Sequence, residues 1–177
     1  EISLGYANLT DHVIAPSGSI RKLLSRRGVR RPVSVIPTGI DVSLFYEADR
    51  DGFRRQHHIP ENKFVIGYAG RLAPEKNLAF QAEVMASFLE REPDAYCLIV
   101  GQGPSEKTIA RVFRQKKVQD RLRVTGVLEH EQMPHAYQAM DVFVMASKSE
   151  TQGMVAAEAL ASGVPVVALK APGVCDT

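Results

Sequence analysis

Five short apolar runs, at residues 64–68, 96–100, 122–127, 141–146 and 165–169, are rich in Val, Ile and Phe, and a stretch of different character separates each from the next. Runs of this kind, without polar alternation, mark strands buried on both faces. Residues 77–90 place Leu78, Val84, Met85, Phe88 and Leu89 near one helical face, and residues 105–117 do the same with Ile109, Val112 and Phe113. A shorter helix is expected over 133–140, where Pro134 suits a first turn. A fourth, over 153–162, is built of small residues, with Gly163 placed to stop it and Pro165 beyond. Strand and helix alternating through short links predict an α/β domain: an open parallel sheet with right-handed crossovers and helices on both faces.

A different pattern lies ahead of this one. Residues 11–15 read as a short strand, 19–27 as a helix and 33–36 as another strand. P-T-G-I-D at 37–41 is turn chemistry, and 42–62 carry little sheet signal. The expected organisation is therefore the tail of a preceding α/β domain (1–36), an inter-domain connection (37–62) and a second domain (63–177). The chain opens in mid-pattern and ends after a strand with no closing helix, so both ends read as cut from a longer protein. Its 177 residues suffice for a sizeable core. A net charge of +2 gives no sign of nucleic-acid binding. Cys97 and Cys175 make neither a disulfide framework nor a metal spacing, which points to a reducing cytosol.

In open parallel sheets ligands bind outside the carboxyl ends of the strands, where helix N-termini also point. Three strand ends carry suitable residues. In Y-A-G-R-L-A-P-E-K-N (68–77), Gly70 allows close backbone approach, and Arg71 and Lys76 flank a loop that opens a helix. Two cations beside a helix N-terminus suit a diphosphate. The competing reading is a pair of solvated cations with Glu75 as partner. I-V-G-Q-G-P (99–104) suggests a dinucleotide fingerprint, but Glu106 stands where the third glycine should be, and no acidic residue follows at the expected distance. A tight βα turn is the favoured reading there. The third end is S-K-S-E-T-Q-G (147–153), running into the small-residue helix. That helix offers free N–H groups to an anion. Glu158 sits inside it among Ala156, Ala157, Ala159 and Ala161, where a carboxylate needs donors or water. Sugar hydroxyls are such donors; a place on the solvent face is the alternative.

Together these residues resemble the family 4 retaining glycosyltransferases, enzymes with two facing Rossmann-like domains, the GT-B fold. The likeness runs from about Val33 to Leu169. It is carried by P-T-G-I-D, G-R-L-A-P-E-K-N, I-V-G-Q-G-P, the strand V-T-G-V, D-V-F-V-M-A-S, and E-x7-E followed by A-L-A-S-G-V-P-V-V, in that order. The resemblance implies a Rossmann-like donor-binding C-terminal domain and a nucleotide-diphosphate sugar as donor, with no metal or other cofactor. Arg71 and Lys76 would clamp the diphosphate beside Gly70 and steady the leaving group. The N–H groups of Gly153, Met154 and Val155 would add the helix dipole. Glu158 would hold the ribose hydroxyls, Glu150 would face the transferred sugar, and backbone near Val127 and Leu128 would meet the base. In this family transfer with retention runs on the donor's front face, the leaving phosphate helping to deprotonate the acceptor, so Glu150 is a sugar-positioning or electrostatic group rather than a nucleophile. Many members carry Phe-Gly where this chain has Gln152 and Gly153. The E-T-Q-G variant is similar to glycolipid-forming members. The acceptor, a sugar or a lipid, would belong to the missing N-terminal domain, and the piece alone is expected to bind nucleotide without transferring sugar.

Within I-R-K-L-L-S-R-R-G-V-R-R (20–31) stand Arg21, Lys22, Arg26, Arg27, Arg30 and Arg31, and no acid. A basic amphipathic helix can lie on an anionic membrane surface, which would place the protein peripherally on the inner face; a solvated helix is the alternative. His57, His58, His130 and His135 are expected at the surface. The rival functions are a nucleotide-binding module without catalysis and, within the same architecture, a sugar-nucleotide epimerase or a sugar phosphorylase.

Overall fold

The computed structural model describes residues 2–148 and 150–176. In chain order the elements are α1 (Ile2–Leu9), β1 (Val13–Ala15), α2 (Gly18–Arg26), β2 (Val33–Val35), α3 (Arg50–Gln56), β3 (Phe64–Ala69), α4 (Leu78–Arg91), β4 (Ala95–Val100), α5 (Glu106–Gln115), β5 (Leu122–Val124), α6 (Met133–Gln138), β6 (Val142–Met145), α7 (Met154–Ala161) and β7 (Val166–Ala168). Short 3-10 turns lie between several of them. β1 and β2 form a parallel pair. The other strands make one sheet in the order β5-β4-β3-β6-β7, parallel throughout.

That order follows from the alternation seen in the sequence. From β3 the chain steps outward through β4 to β5, then returns to the far side of β3 and steps outward again through β6 to β7. Right-handed crossovers leaving in opposite directions put their helices on opposite faces. α4 accordingly packs against α5, while α6 packs against α7 and α3. The reversal creates a crevice between the carboxyl ends of β3 and β6, the place where such sheets bind ligands.

α4 shows how periodicity becomes packing. Leu78, Ala82, Met85, Ala86 and Leu89 are all buried, and they recur at helical spacing with no Gly or Pro between them. Burying a Leu or Met side chain contributes about 1.5–3 kcal/mol. Gln81 lies on the same buried face and is the one polar residue there. Across the sheet Tyr68 stacks on Phe143, with ring centroids 6.2 Å apart.

Three expectations need correction. Residues 42–62 are not a mere connection: they form a 3-10 turn at Val42–Phe45 and the helix α3, and Phe45, Phe53 and Ile59 belong to the core of the five-stranded sheet. Asp49 starts α3 by accepting a hydrogen bond from the Gly52 N–H at 2.8 Å. The strand expected over 122–127 stops at Val124, because Gly126 turns the chain at φ 76° and pairs with Gly101 in an isolated antiparallel bridge. His57 is half-buried with its ring against Phe53, and His135 accepts a hydrogen bond from the Asp49 N–H at 2.7 Å, so neither is simply solvated.

The charge on α3 is the least expected part of the core. Arg54 has no exposed side-chain surface. Its guanidinium donates to the carbonyls of Ala139 (2.7 and 3.0 Å), Glu61 (2.8 Å) and Lys63 (2.9 Å) and to Asp141 Oδ2 (2.9 Å). Asp141 also accepts from Arg50 at 2.8 Å and from the Val65 N–H at 2.7 Å. This cluster ties α3 to the amino ends of β3 and β6, away from the crevice.

Candidate functional site

The crevice is built by two turns that nest without space for a side chain. β3 runs into Gly70, whose φ is +142°. A Cβ on Gly101, at the end of β4, would stand 2.0 Å from the Gly70 carbonyl oxygen, and one on Gly103 would stand 2.5 Å from that of Leu72. Only glycine fits such contacts. Leu72 N–H donates to Gln102 O at 2.9 Å, and Ser105 N–H to Leu72 O at 2.8 Å. The G-Q-G-P stretch is thus a tight βα turn locked to the Arg71 loop.

Two adjoining cavities open over these strand ends. The larger, about 510 Å³, lies between the G-Q-G-P turn and Val127, Leu128 and Met133. The smaller, about 290 Å³, is lined by Lys76, Ser147, Glu150 and Gly153 among others. Gly70, Arg71 and Val155 line both, so the two form one groove across the switch point. Val127 is 64% exposed on the rim.

Lys76 ends a short 3-10 turn, and Asn77 follows in the left-handed region at φ 57° to start α4. Lys76 Nζ donates to both oxygens of Glu150, at 2.7 and 2.8 Å. The two side chains are only 24% and 12% exposed. Arg71, at 71%, pairs instead with Glu75. The solvated-pair reading therefore describes Arg71, and Lys76 has a different partner from the one expected.

The end of β6 is fixed from α4. Asn77 donates to the Ala146 carbonyl at 3.1 Å, and the Gln81 amide donates to Val144 O at 2.9 Å while accepting from the Ala146 N–H at 3.1 Å. Sequence reading missed both amides, although a glutamine on the apolar face of α4 was the signal. From that fixed point the chain runs to Glu150, whose N–H donates to Pro172 O at 3.0 Å. Gly173, at φ +81°, passes so close that a Cβ would lie 2.1 Å from Glu150 O. Ser147 is buried in the wall of the smaller cavity, and its hydroxyl has no hydrogen-bond partner among the described residues. Gly153 then turns the chain at φ 72° into α7, whose first N–H groups receive no side-chain cap. Those orphan donors suit an anion.

Of the residues expected at the site, Gly70, Arg71, Lys76, Val127, Leu128, Glu150, Gly153, Met154 and Val155 all line the groove. Glu158 lines neither cavity. Its Oε2 accepts a hydrogen bond from the buried Tyr137 hydroxyl at 2.6 Å. Burial, then the charge of Glu158, pushes the Tyr137 hydroxyl far above its ordinary pKa, so it remains a donor. Glu158 is three residues beyond Val155 and so on the same side of α7, and it is half-buried.

A doubly wound sheet with cations, an uncapped helix N-terminus and an apolar pocket gathered at its switch point is the arrangement in which open α/β sheets bind ligands. More narrowly, the chain belongs to the Glycosyl transferases group 1 family, which it matches over residues 49–177; residues 2–44 match Glycosyltransferase Family 4. It is 31% identical to an alpha-monoglucosyldiacylglycerol synthase of Streptococcus pneumoniae over 93% of this chain and 38% of that protein. It is 35% identical to a GDP-mannose-dependent alpha-mannosyltransferase of Mycobacterium tuberculosis over 95% of this chain and 41% of that one. Among solved structures, Anabaena HepE in complex with UDP and glucose matches 98% of this chain and 48% of its own, with a TM-score of 0.84 at 26% identity. The fold is that of the GT-B glycosyltransferases. The chain thus spans less than half the length of these relatives.

Proposed function

We propose that this chain is the donor-binding part of a retaining glycosyltransferase, which moves a hexose from a nucleotide-diphosphate sugar to a hydroxyl of a lipid or glycan. The observation that carries the reading is the convergence of Arg71, Lys76, Glu150 and the start of α7 on one groove at the switch point. The base would occupy the larger cavity beside Val127 and Leu128. The diphosphate would lie over Gly70 and Gly153, within reach of Arg71, Lys76 and the α7 N–H groups. These supply the counter-charge that a metal would otherwise bring, and they stabilise the departing diphosphate as the glycosidic bond breaks. The sugar would then face Glu150, and the ribose would lie toward Glu158. The acceptor's proton passes to the leaving phosphate on the same face, which needs no protein nucleophile.

Calorimetry with UDP, GDP, UDP-glucose and GDP-mannose tests this. One base should bind, and Lys76→Ala should weaken it. A complete enzyme that binds no nucleotide would overturn the reading. A plain nucleotide-binding module would bind nucleotide and nucleotide sugar alike and transfer no sugar, whereas an epimerase would convert the donor sugar without any acceptor.

Membrane contact is part of the same proposal. Arg21, Lys22, Arg26, Arg27, Arg30 and Arg31 are all exposed along and just after α2, and no helix among the described residues is long and apolar enough to cross a bilayer. The basic face would hold the protein at the inner leaflet, near a lipid acceptor, each cation near an anionic surface being worth about 1 kcal/mol. The complete enzyme should float with vesicles containing phosphatidylglycerol and not with phosphatidylcholine alone. Equal flotation with both would refute the contact.

A further inference from the structure

The loop that carries Glu150 is fastened at a second point, by a residue to which neither the fold nor the proposed chemistry gives a role. The Gln152 side-chain amide pairs with the backbone of Thr38 in both directions: Thr38 N–H donates to Oε1 at 2.8 Å, and Nε2 donates to Thr38 O at 2.7 Å. The two residues are 114 apart in sequence. The arrangement copies the paired bonds of adjacent strands, with an amide side chain as one partner. The two bonds fix the orientation of the amide plane, as one bond would not.

Gln152 stands between Glu150 and Gly153, the residue that turns the chain into α7. Thr38 lies in P-T-G-I-D, directly after β2. The Glu150 loop is thus held from two sides, at Pro172 through the Glu150 N–H and at Thr38 through Gln152. We infer that Gln152 is a positioning residue for sugar transfer, clasping the Glu150 loop to the backbone of Thr38 so that its carboxylate meets the donor sugar in one place. The inference rests on the glycosyltransferase reading. The surfaces assigned to the base, at the G-Q-G-P turn, Val127 and Leu128, belong to other elements and do not depend on the clasp.

This separation defines the test. Gln152→Met keeps the length of the side chain and removes both bonds. Gln152→Glu keeps an acceptor for the Thr38 N–H and sets a carboxylate oxygen against the Thr38 carbonyl. In the complete transferase, with the better of UDP-glucose and GDP-mannose as donor, kcat should fall roughly tenfold or more in the Met variant, a modest share of what misplacement of a reacting group costs. The Glu variant should fall between it and the parent. Affinity for UDP or GDP without sugar should change by less than about fivefold, the most that freeing Lys76 from Glu150 would bring, and the thermal midpoint should not move, since the pair is exposed. A Met variant with undiminished kcat would overturn the inference and leave the glycosyltransferase reading intact. So would equal losses in kcat and nucleotide affinity, the mark of a purely structural role. A parent enzyme that transfers sugar from neither donor would bring down both.

Discussion

Glu150→Gln should lower sugar transfer by about 10²–10³-fold, the usual cost of removing one preorganised electrostatic group, and at the same time tighten the binding of the bare nucleoside diphosphate. The two effects have one origin. In the free protein Lys76 is held by both carboxylate oxygens of Glu150. A diphosphate that needs the ammonium must first take it from Glu150. Glutamine leaves Lys76 without its charged partner, and if the pair is worth about 1 kcal/mol, near the upper end for pairs in contact with water, the gain is roughly fivefold. Lys76→Ala should lose affinity and transfer together. Calorimetry with UDP and GDP on both variants, beside transfer rates, gives the comparison. If Glu150→Gln weakens nucleoside diphosphate binding as much as Lys76→Ala does, the competition does not exist.

The second large effect is on stability and lies at the other end of the sheet. Arg54→Ala should destabilise the fold by about 3–5 kcal/mol, as removal of one partner from a buried ion pair does. The loss would leave Asp141 with Arg50 as its remaining charged partner, and would take from the carbonyls of Ala139, Glu61 and Lys63 the donor that Arg54 gives them. For a chain of 177 residues the midpoint of thermal unfolding should drop by about 6–20 °C. Arg55→Ala, one position along on the exposed side of α3, breaks only the surface pair with Glu61 and should leave the midpoint where it is. Equal midpoints for the two variants would show that the Arg54 cluster does not hold α3 to the sheet.

Arg54 also marks where the sequence stops being legible. R-D-G-F-R-R-Q reads as polar connection because four of its seven residues are charged. What makes it a core helix is Phe53, the Asp49 cap, and an acid 87 positions later that receives Arg54. Such pairing leaves no local trace. The strands and long helices were readable because their periodicity is local and strong. Most of the groove was readable too, because the carboxyl ends of β3, β4 and β6 follow from the alternation itself. The partners of its charges were not. Lys76 is paired with Glu150 when no phosphate is present, and Glu158 is met by Tyr137, which α6 brings in from elsewhere in the chain. Val127 was placed in a strand by its apolar neighbours, but Gly126 ends the ladder and sends it to the rim.

The amides of Asn77 and Gln81 pin the chain at Ala146. Glu150 comes four residues later, so its backbone can never stray more than roughly 13–14 Å from that anchor. On the proposed reading, donor preference is therefore a problem with a short leash. A change of accepted sugar that acts through Glu150 would be written within a handful of positions, on a tether whose fixed end belongs to α4.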